Sequence, residues 1–222
     1  MKIEISKKMS QVCPQIQLGI IQCEVENSES NSELWKEIDQ EIASVFTKFT
    51  LEEINKRPEI EATRKIYKKL GKDPNRYRPS AEALCRRILR EIPIYKVNTL
   101  VDIINFVSIR SGFSIGGFDF AKIKGSILLD VGNEHDEFEA IGRGMLNVKG
   151  LPIFRDELGG IGTPTSDNER TKITAETKQL LIVINNYSEN NSIQKTTDHA
   201  LYLLNKYAGL SSCHVEIIES IL

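Results

Sequence analysis

Hydrophobic positions recur along this chain with two periods, and the changes of period mark its elements. Ile3 and Ile5 alternate with polar neighbours, and so do Ile16, Leu18 and Ile20. This period of two predicts strands over residues 1–26, with the phase slipping near Gly19 as at a bulge. After a polar turn at Asn27–Asn31, the period lengthens. Leu34, Trp35, Ile38, Ile42, Val45, Phe46 and Phe49 recur at helical spacing from Ser32, a helix of about four turns, and a short helical piece follows near Leu51–Asn55. Pro58–Leu70 reads as a further helix with Ile60, Thr63, Tyr67 and Leu70 inward, Arg64, Lys65, Lys68 and Lys69 outward or flanking, and Gly71 as its C-cap. Ser80 is placed to cap the next helix, whose stripe is Ala81, Leu84, Cys85, Ile88, Leu89 and Ile92.

The stretch Val97–Asp130 carries the most information. It reads as a buried helix closed by Gly112, a glycine-rich turn (Gly112–Asp119), and a strand at Gly125–Asp130. The helix is apolar on most sides, yet Asn98, Asp102 and Asn105 share one face at i, i+4 and i+7. Buried polar groups need partners, since each one left unpaired costs about 1–3 kcal/mol. Two readings stand: core polars satisfied internally, with a capping box from Thr99 to Asp102, or the wall of a pocket. Beyond it the period returns to two, with strands at Phe138–Ile141, Leu151–Asp156 and Leu180–Ile184. Gly142, Gly144, Gly150, Gly159, Gly160 and Gly162 punctuate them, and Thr163–Thr174 reads as a long polar loop. A helix over about Thr197–Ala208, stopped by Gly209, and a strand at His214–Ile218 complete the pattern. The class is α+β, mixed or antiparallel sheets with flanking helices.

Composition narrows the functional classes. With 40% hydrophobic and 27% charged residues in 222, the chain has the make-up of a soluble globular protein, large enough for its own core. No run is long and apolar enough for a membrane span, and the N-terminus lacks the apolar core of a signal peptide, so a cytoplasmic protein without membrane contact is expected. Cys13, Cys23, Cys85 and Cys213 are scattered, without a CxxC or histidines at ligand spacing; plain buried thiols are expected, with no metal and no cofactor. The net charge of -2 hides an asymmetry: Lys56–Arg90 holds 12 Lys+Arg against 4 Asp+Glu. Lys72-Asp73-Pro74-Asn75-Arg76-Tyr77-Arg78-Pro79-Ser80 sets basic side chains around a tyrosine, and Glu82 pairs with Arg86 beside Arg87 and Arg90. Such a segment is either a solvated face or a polyanion-binding face with a stacking ring.

Catalytic motifs are sparse. Gly112-Phe113-Ser114-Ile115-Gly116 fits G-x-S-x-G, but the nucleophile elbow needs strand then helix, and here the order is reversed. No dinucleotide or P-loop pattern occurs. Lys7-Lys8-Met9-Ser10 resembles part of a class I synthetase signature, without its partner motif. Gly116-Gly117 marks a close approach of backbone to a strand or a ligand. Asp156, at a strand end, either caps the next turn or orients water.

Lys68-Lys69-Leu70-Gly71-Lys72-Asp73-Pro74-Asn75-Arg76-Tyr77-Arg78-Pro79-Ser80-Ala81-Glu82-Ala83-Leu84, Val97–Asn105 and Gly116-Gly117-Phe118-Asp119 together resemble the B3/B4 domain. This is the tRNA-binding and editing domain of the phenylalanyl-tRNA synthetase beta chain, also found free-standing. The resemblance implies one domain over 1–222, its core at about 58–184 with N- and C-terminal extensions packed on it, and tRNA or aminoacyl-tRNA as partner. No class II synthetase core accompanies it, so the implied activity is an aminoacyl-tRNA ester hydrolase acting in trans rather than aminoacylation. The alternative is a non-catalytic module binding tRNA or an amino acid. The implied pocket is formed by Ile115, Gly116, Gly117, Phe118, Gly160 and Val183. Asn98, Asp119, Asp156 and Thr163 are the candidate catalytic groups, aided by the amides of Gly116, Gly117 and Gly160. Arg64, Lys65, Lys68, Lys69, Arg76, Tyr77, Arg78, Arg86 and Arg87 would meet the RNA. Two departures from the family pattern imply a wider, less polar pocket: Gly116 stands where bacterial synthetases have a histidine, and Leu180–Ile184 offers no carboxylate.

Overall fold

The computed structural model describes residues 1–190 and 192–220, so positions 191, 221 and 222 of the expected domain lie outside the described residues. Its centre is a four-stranded antiparallel sheet in the order β10-β2-β9-β3, where β2 is Gln17–Glu24, β3 Ser114–Asp119, β9 Gln179–Asn186 and β10 Ser212–Glu219. Both faces of this sheet are covered, which explains the sequence of β2. Leu18 and Ile20 face one hydrophobic cluster, while Ile21 and Cys23 face the other. Gly19 points at Ile193 and Thr197, and its register with both neighbours is regular. The expected bulge is absent: the apolar phase shifts because both faces are buried, and the backbone does not break.

One face carries α2 (Ser32–Lys48), α4 (Ser80–Leu89), α5 (Thr99–Ser111) and α6 (Ile193–Tyr207), which share a cluster with Ile115, Ile182 and Ile184. The other face packs on a second sheet, order β1-β4-β7-β8. Its strands are β1 Ile3–Ile5, β4 Ile127–Val131, β7 Pro152–Asp156 and β8 Gly159–Gly162. Phe118, Leu181 and Val183 meet Leu129, Phe154 and Ile161 between the sheets. Each such side chain, fully buried, contributes about 1.5–3 kcal/mol before entropy is counted. A third cluster joins Tyr67 of α3 (Pro58–Lys69) to Phe138 and Ile153, beside the small hairpin β5 (Glu139–Ala140) and β6 (Gly144–Met145).

Several local expectations change. Residues Lys7–Val12 form helix α1, not strand, because Ser6 caps it by accepting the Met9 N–H. The segment after Gly112 is no turn: Gly116 and Gly117 lie inside β3, paired with Val183 and Ile182. Gly159–Gly162, read as punctuation, is strand β8. Helix α4 begins after Pro79 with no side-chain cap, so Ser80 does not cap it, and α6 starts at Ile193, one turn early. Cys213 is exposed rather than buried, and the four cysteines are free.

Helix α5 shows how the polar stripe is spent. Asn98, not Thr99, is the N-cap, its side-chain Oδ1 accepting the Val101 N–H at 3.0 Å. Asp102 accepts the Trp35 indole N–H at 2.7 Å and the Val97 N–H at 3.1 Å, tying α5 to α2. These two members of the stripe are satisfied core polars and brace a helix–helix contact. At the far end Gly112 adopts φ 86, the left-handed cap, and the buried Arg57 guanidinium donates to Ile109 O and Arg110 O at 2.9 and 3.0 Å.

Candidate functional site

Among the described residues β3 pairs with β9 alone, while β8 pairs with β7 on one side and is met on the other by an isolated bridge from Gly162 to Asp167. The outer edges of the two sheets meet at one carboxylate, Asp167. The loop that delivers it is tightly folded by Thr163. The Thr163 hydroxyl accepts the Thr165 and Ser166 N–H groups at 3.2 and 3.1 Å and lies 3.0 Å from Ser166 O, to which it donates. The Tyr67 and Thr165 hydroxyls, 2.9 Å apart, anchor the same loop to α3. The chain then returns against β8, with Asp167 bridging Gly162.

Asp167 Oδ2 accepts the Gly117 N–H at 3.1 Å, across the gap between the sheets. Oδ1 lies over two glycines: a Cβ on Gly116 would sit 3.4 Å from it, and one on Gly162 2.9 Å. The Phe118 ring tip enters the same space, 2.7 and 2.6 Å from those positions. Glycine is therefore required at 116 and 162 by close approach, not by backbone angle. Burial pushes the Asp167 carboxyl up to about 7, against the opposing Gly117 N–H. Among the described residues no salt bridge reaches it. A carboxyl that titrates near neutrality in such a seam is the kind of group that acid–base chemistry uses.

The seam gathers Gly116, Gly117, Phe118 and the Thr163 loop from the predicted set, with Val183 paired to Gly116. The others sit elsewhere. Ile115 faces the helical layer, and Gly160 packs against Phe138 and Ile153. Asp156 is wholly buried and saturated: Arg170 donates to both its oxygens at 3.0 and 2.7 Å, and Lys124 N and Leu158 N add 2.9 Å bonds. Burial raises its carboxyl, but Arg170 and the two amides outweigh that and hold it below the usual range. Its capping reading prevails. Asp119 accepts from Thr177 Oγ1 at 3.0 Å and the Ala121 N–H at 3.2 Å, with Lys122 Nζ at 3.3 Å. Asn98 is a helix cap, and the Gly117 amide, expected to be available to a reactant, is already given to Asp167. Nor is the space beside Gly116 wide, because Phe118 and Asp167 fill it. Ser114 is buried with its hydroxyl unpaired.

Sequence reasoning missed Asp167. It lies in a polar loop where no spacing distinguishes it from Asp156 or Glu169. Its two signals, Gly116 and Gly162, were visible only as separate glycines.

The basic segment is partly consumed inside the fold. Glu82, expected on an outward face, is 1% exposed. Arg64 Nη1 and Arg86 Nε each reach it at 2.8 Å, and Arg78 Nε lies 3.6 Å away. Arg64, expected outward, is thus buried, also bonding Pro74 O and Asn75 Oδ1. Arg86 further donates to Leu51 O, and Arg87 donates to Pro93 O and stacks on Tyr95. Tyr77 is half-buried, with Lys72 Nζ 3.8 Å and the Arg76 guanidinium 5.7 Å from its ring. Lys65, Lys68, Lys69 and Arg76 remain exposed. Lys65 pairs with Glu61, and Lys69 donates to Val12 O. Among the described residues no helix is long and apolar enough to cross a membrane, and no group of three or more metal-ligating side chains is found.

Comparison with known proteins places these features in context. The family model described as the B3/4 domain matches residues 62–207, reaching past Ile184 into α6. A solved structure, an N-terminal fragment of the phenylalanyl-tRNA synthetase beta-subunit from Pyrococcus horikoshii, is similar at 14% identity and a TM-score of 0.45. The alignment covers 97% of this chain and 50% of that fragment, so this chain spans about half its length. No curated protein matches.

Proposed function

The chain belongs to the B3/4 domain family, and from that premise we propose that it is a tRNA-associated protein that hydrolyses the ester of a misacylated tRNA in trans, with the seam between β3 and β8 as its reaction centre. Asp167 carries the reading. A carboxyl with pKa about 7 is divided between its two forms at neutral pH, as a group that both removes and returns a proton requires. In its ionised form it takes a proton from water as the oxygen attacks the ester carbonyl. The tetrahedral intermediate collapses by expelling the terminal ribose oxygen, which receives that proton. The products are a free amino acid and an uncharged tRNA. The Gly117 N–H fixes the carboxyl's orientation, and the glycines at 116 and 162 leave room for a substrate only when the Phe118 ring turns aside. Lys65, Lys68, Lys69 and Arg76 are the side chains available for phosphates.

A non-catalytic binding module is the second reading. What favours it is that Asn98, Asp119, Asp156 and Thr163 are all engaged in internal hydrogen bonds. Incubating the chain and its Asp167→Asn variant with a panel of mischarged tRNAs separates the two. Hydrolysis by the wild type, lowered about 10²–10⁴-fold in the variant, supports catalysis at the seam. Equal rates in the two remove Asp167 from the reaction. Saltable tRNA binding without turnover leaves the binding module. In either case, replacing Lys68, Lys69 and Arg76 by alanine flattens the salt dependence by about 0.7–0.9 in slope for each phosphate no longer neutralised; an unchanged slope takes this face out of the interface.

A further inference from the structure

Strand β10 is an edge strand of eight residues, Ser212-Cys213-His214-Val215-Glu216-Ile217-Ile218-Glu219, paired among the described residues on one side only, with β2. Two bonds fix the phase of its ladder. Ser220 N donates to Ile16 O, and Val25 N donates to Lys178 O on the other flank of β2. The even-numbered residues of β2 therefore serve β10 and the odd-numbered ones serve β9. It follows that the backbone groups of Ser212, His214, Glu216 and Ile218 point to β2. Those of Cys213, Val215, Ile217 and Glu219 point outward, and among the described residues no element pairs with them. Natural edges are usually blunted by lysine, proline, a bulge or a cover. This one has no lysine or proline, its register is regular over all eight pairs, and Val215 is exposed.

We propose that this edge pairs antiparallel with the same strand of a second copy of the chain, about a two-fold axis through Val215. The cross-strand side-chain pairs choose the register. Outward backbone groups must meet outward groups, so the axis passes through a residue and pairs shift in steps of two. Centred on Glu216, the pairing sets Glu216 against itself; centred on His214, it sets His214 against itself. Centred on Val215, it sets His214 of each copy against Glu216 of the other, twice, as a close non-hydrogen-bonded pair. His214 and Glu216 already share a face, their side chains 3.8 Å apart, so imidazole and carboxylate alternate across the axis and each can meet a hydrogen-bonding partner. Val215 meets Val215, and Cys213 meets Ile217. The two central sheets become one, and the open edge disappears.

Sedimentation equilibrium from low to high micromolar concentration tests this, and a dimer is expected for the wild type. Val215→Pro removes an outward N–H while leaving the bonds to β2 intact, so a monomer with an unchanged circular dichroism spectrum is expected. His214→Glu should weaken the dimer about tenfold by creating two like-charged pairs, and His214→Glu/Glu216→Lys should restore it; this pair of variants reads the register even where the proline variant does not fold. A wild type that stays monomeric throughout overturns the proposal. So does a folded Val215→Pro variant that remains dimeric, or a charge-swapped double variant no tighter than His214→Glu.

Discussion

Replacing Asp167 with asparagine should make the protein more stable at high pH, although it removes a native hydrogen-bonding carboxylate. Asparagine has nearly the same shape and keeps an oxygen for the Gly117 N–H, 3.1 Å away in the wild type. What it loses is the charge. The folded carboxyl titrates near 7 against 3.8 for the ordinary group, so between these values the native state holds a proton that the unfolded chain has released. Stability must therefore fall as pH rises through that window and level off above it. At about 1.4 kcal/mol for each pH unit, the full span is worth about 4 kcal/mol. Asp167 keeps some exposure as a residue, so a loss of about 2–4 kcal/mol is expected. Urea denaturation of both proteins from pH 4 to pH 8 measures it, since other titrating groups cancel in the difference. The two should be nearly equal at pH 4, with the variant ahead by the stated amount at pH 8. A difference that does not vary with pH refutes the reasoning, and with it the neutral-range acid–base role.

Asp156→Asn should behave in the opposite sense. Its carboxyl lies below the ordinary range, so its stabilisation is present above that range and is lost as pH falls through the native value; the variant should be less stable at pH 7, with the gap closing in acid. Glu82→Gln leaves three arginines around a neutral amide in a buried site, and chemical denaturation should show a loss of about 3–5 kcal/mol. Gly162→Ala drives a methyl to within 2.6 Å of the Phe118 ring and 2.9 Å of Asp167. A cost of about 1–3 kcal/mol is expected, read as a lower urea midpoint at an unchanged slope.

The elements that could be read from the sequence are those whose signal is local. Apolar periodicity marks α2 to α4, because one face of each is buried, while α5, buried on most sides, is marked by its apolar run and by Gly112, since a left-handed cap admits glycine. Where burial is two-sided, period fails as a guide. Strand β2 reads as slipping in phase at Gly19 for that reason, and β8, three of whose four residues are glycine, has almost no side chains to show a period. The candidate site was half legible. Gly116 and Gly117 announce a close approach, but the approaching group comes from fifty positions onward in the chain, and no local pattern reports it. Glu82 and Arg86 were legible as a pair, yet nothing in their spacing reveals that Arg64 from α3 closes over them and takes the cluster out of solvent.

The neighbours of β2 also govern how the chain is made. This strand, residues 17–24, is flanked by residues 179–186 on one side and 212–219 on the other. Residues up to 186 must leave the ribosome before one side of β2 can be filled, and residues up to 219 before the other. At about 5–20 residues per second, an apolar strand with two unsatisfied edges waits for about ten seconds or more while the helices and the second sheet emerge behind it. Pairings so distant in sequence are slow to close, and open strand edges invite aggregation. The demand of this fold on its cell thus falls during synthesis: the nascent β2 needs shielding until β9 and β10 arrive.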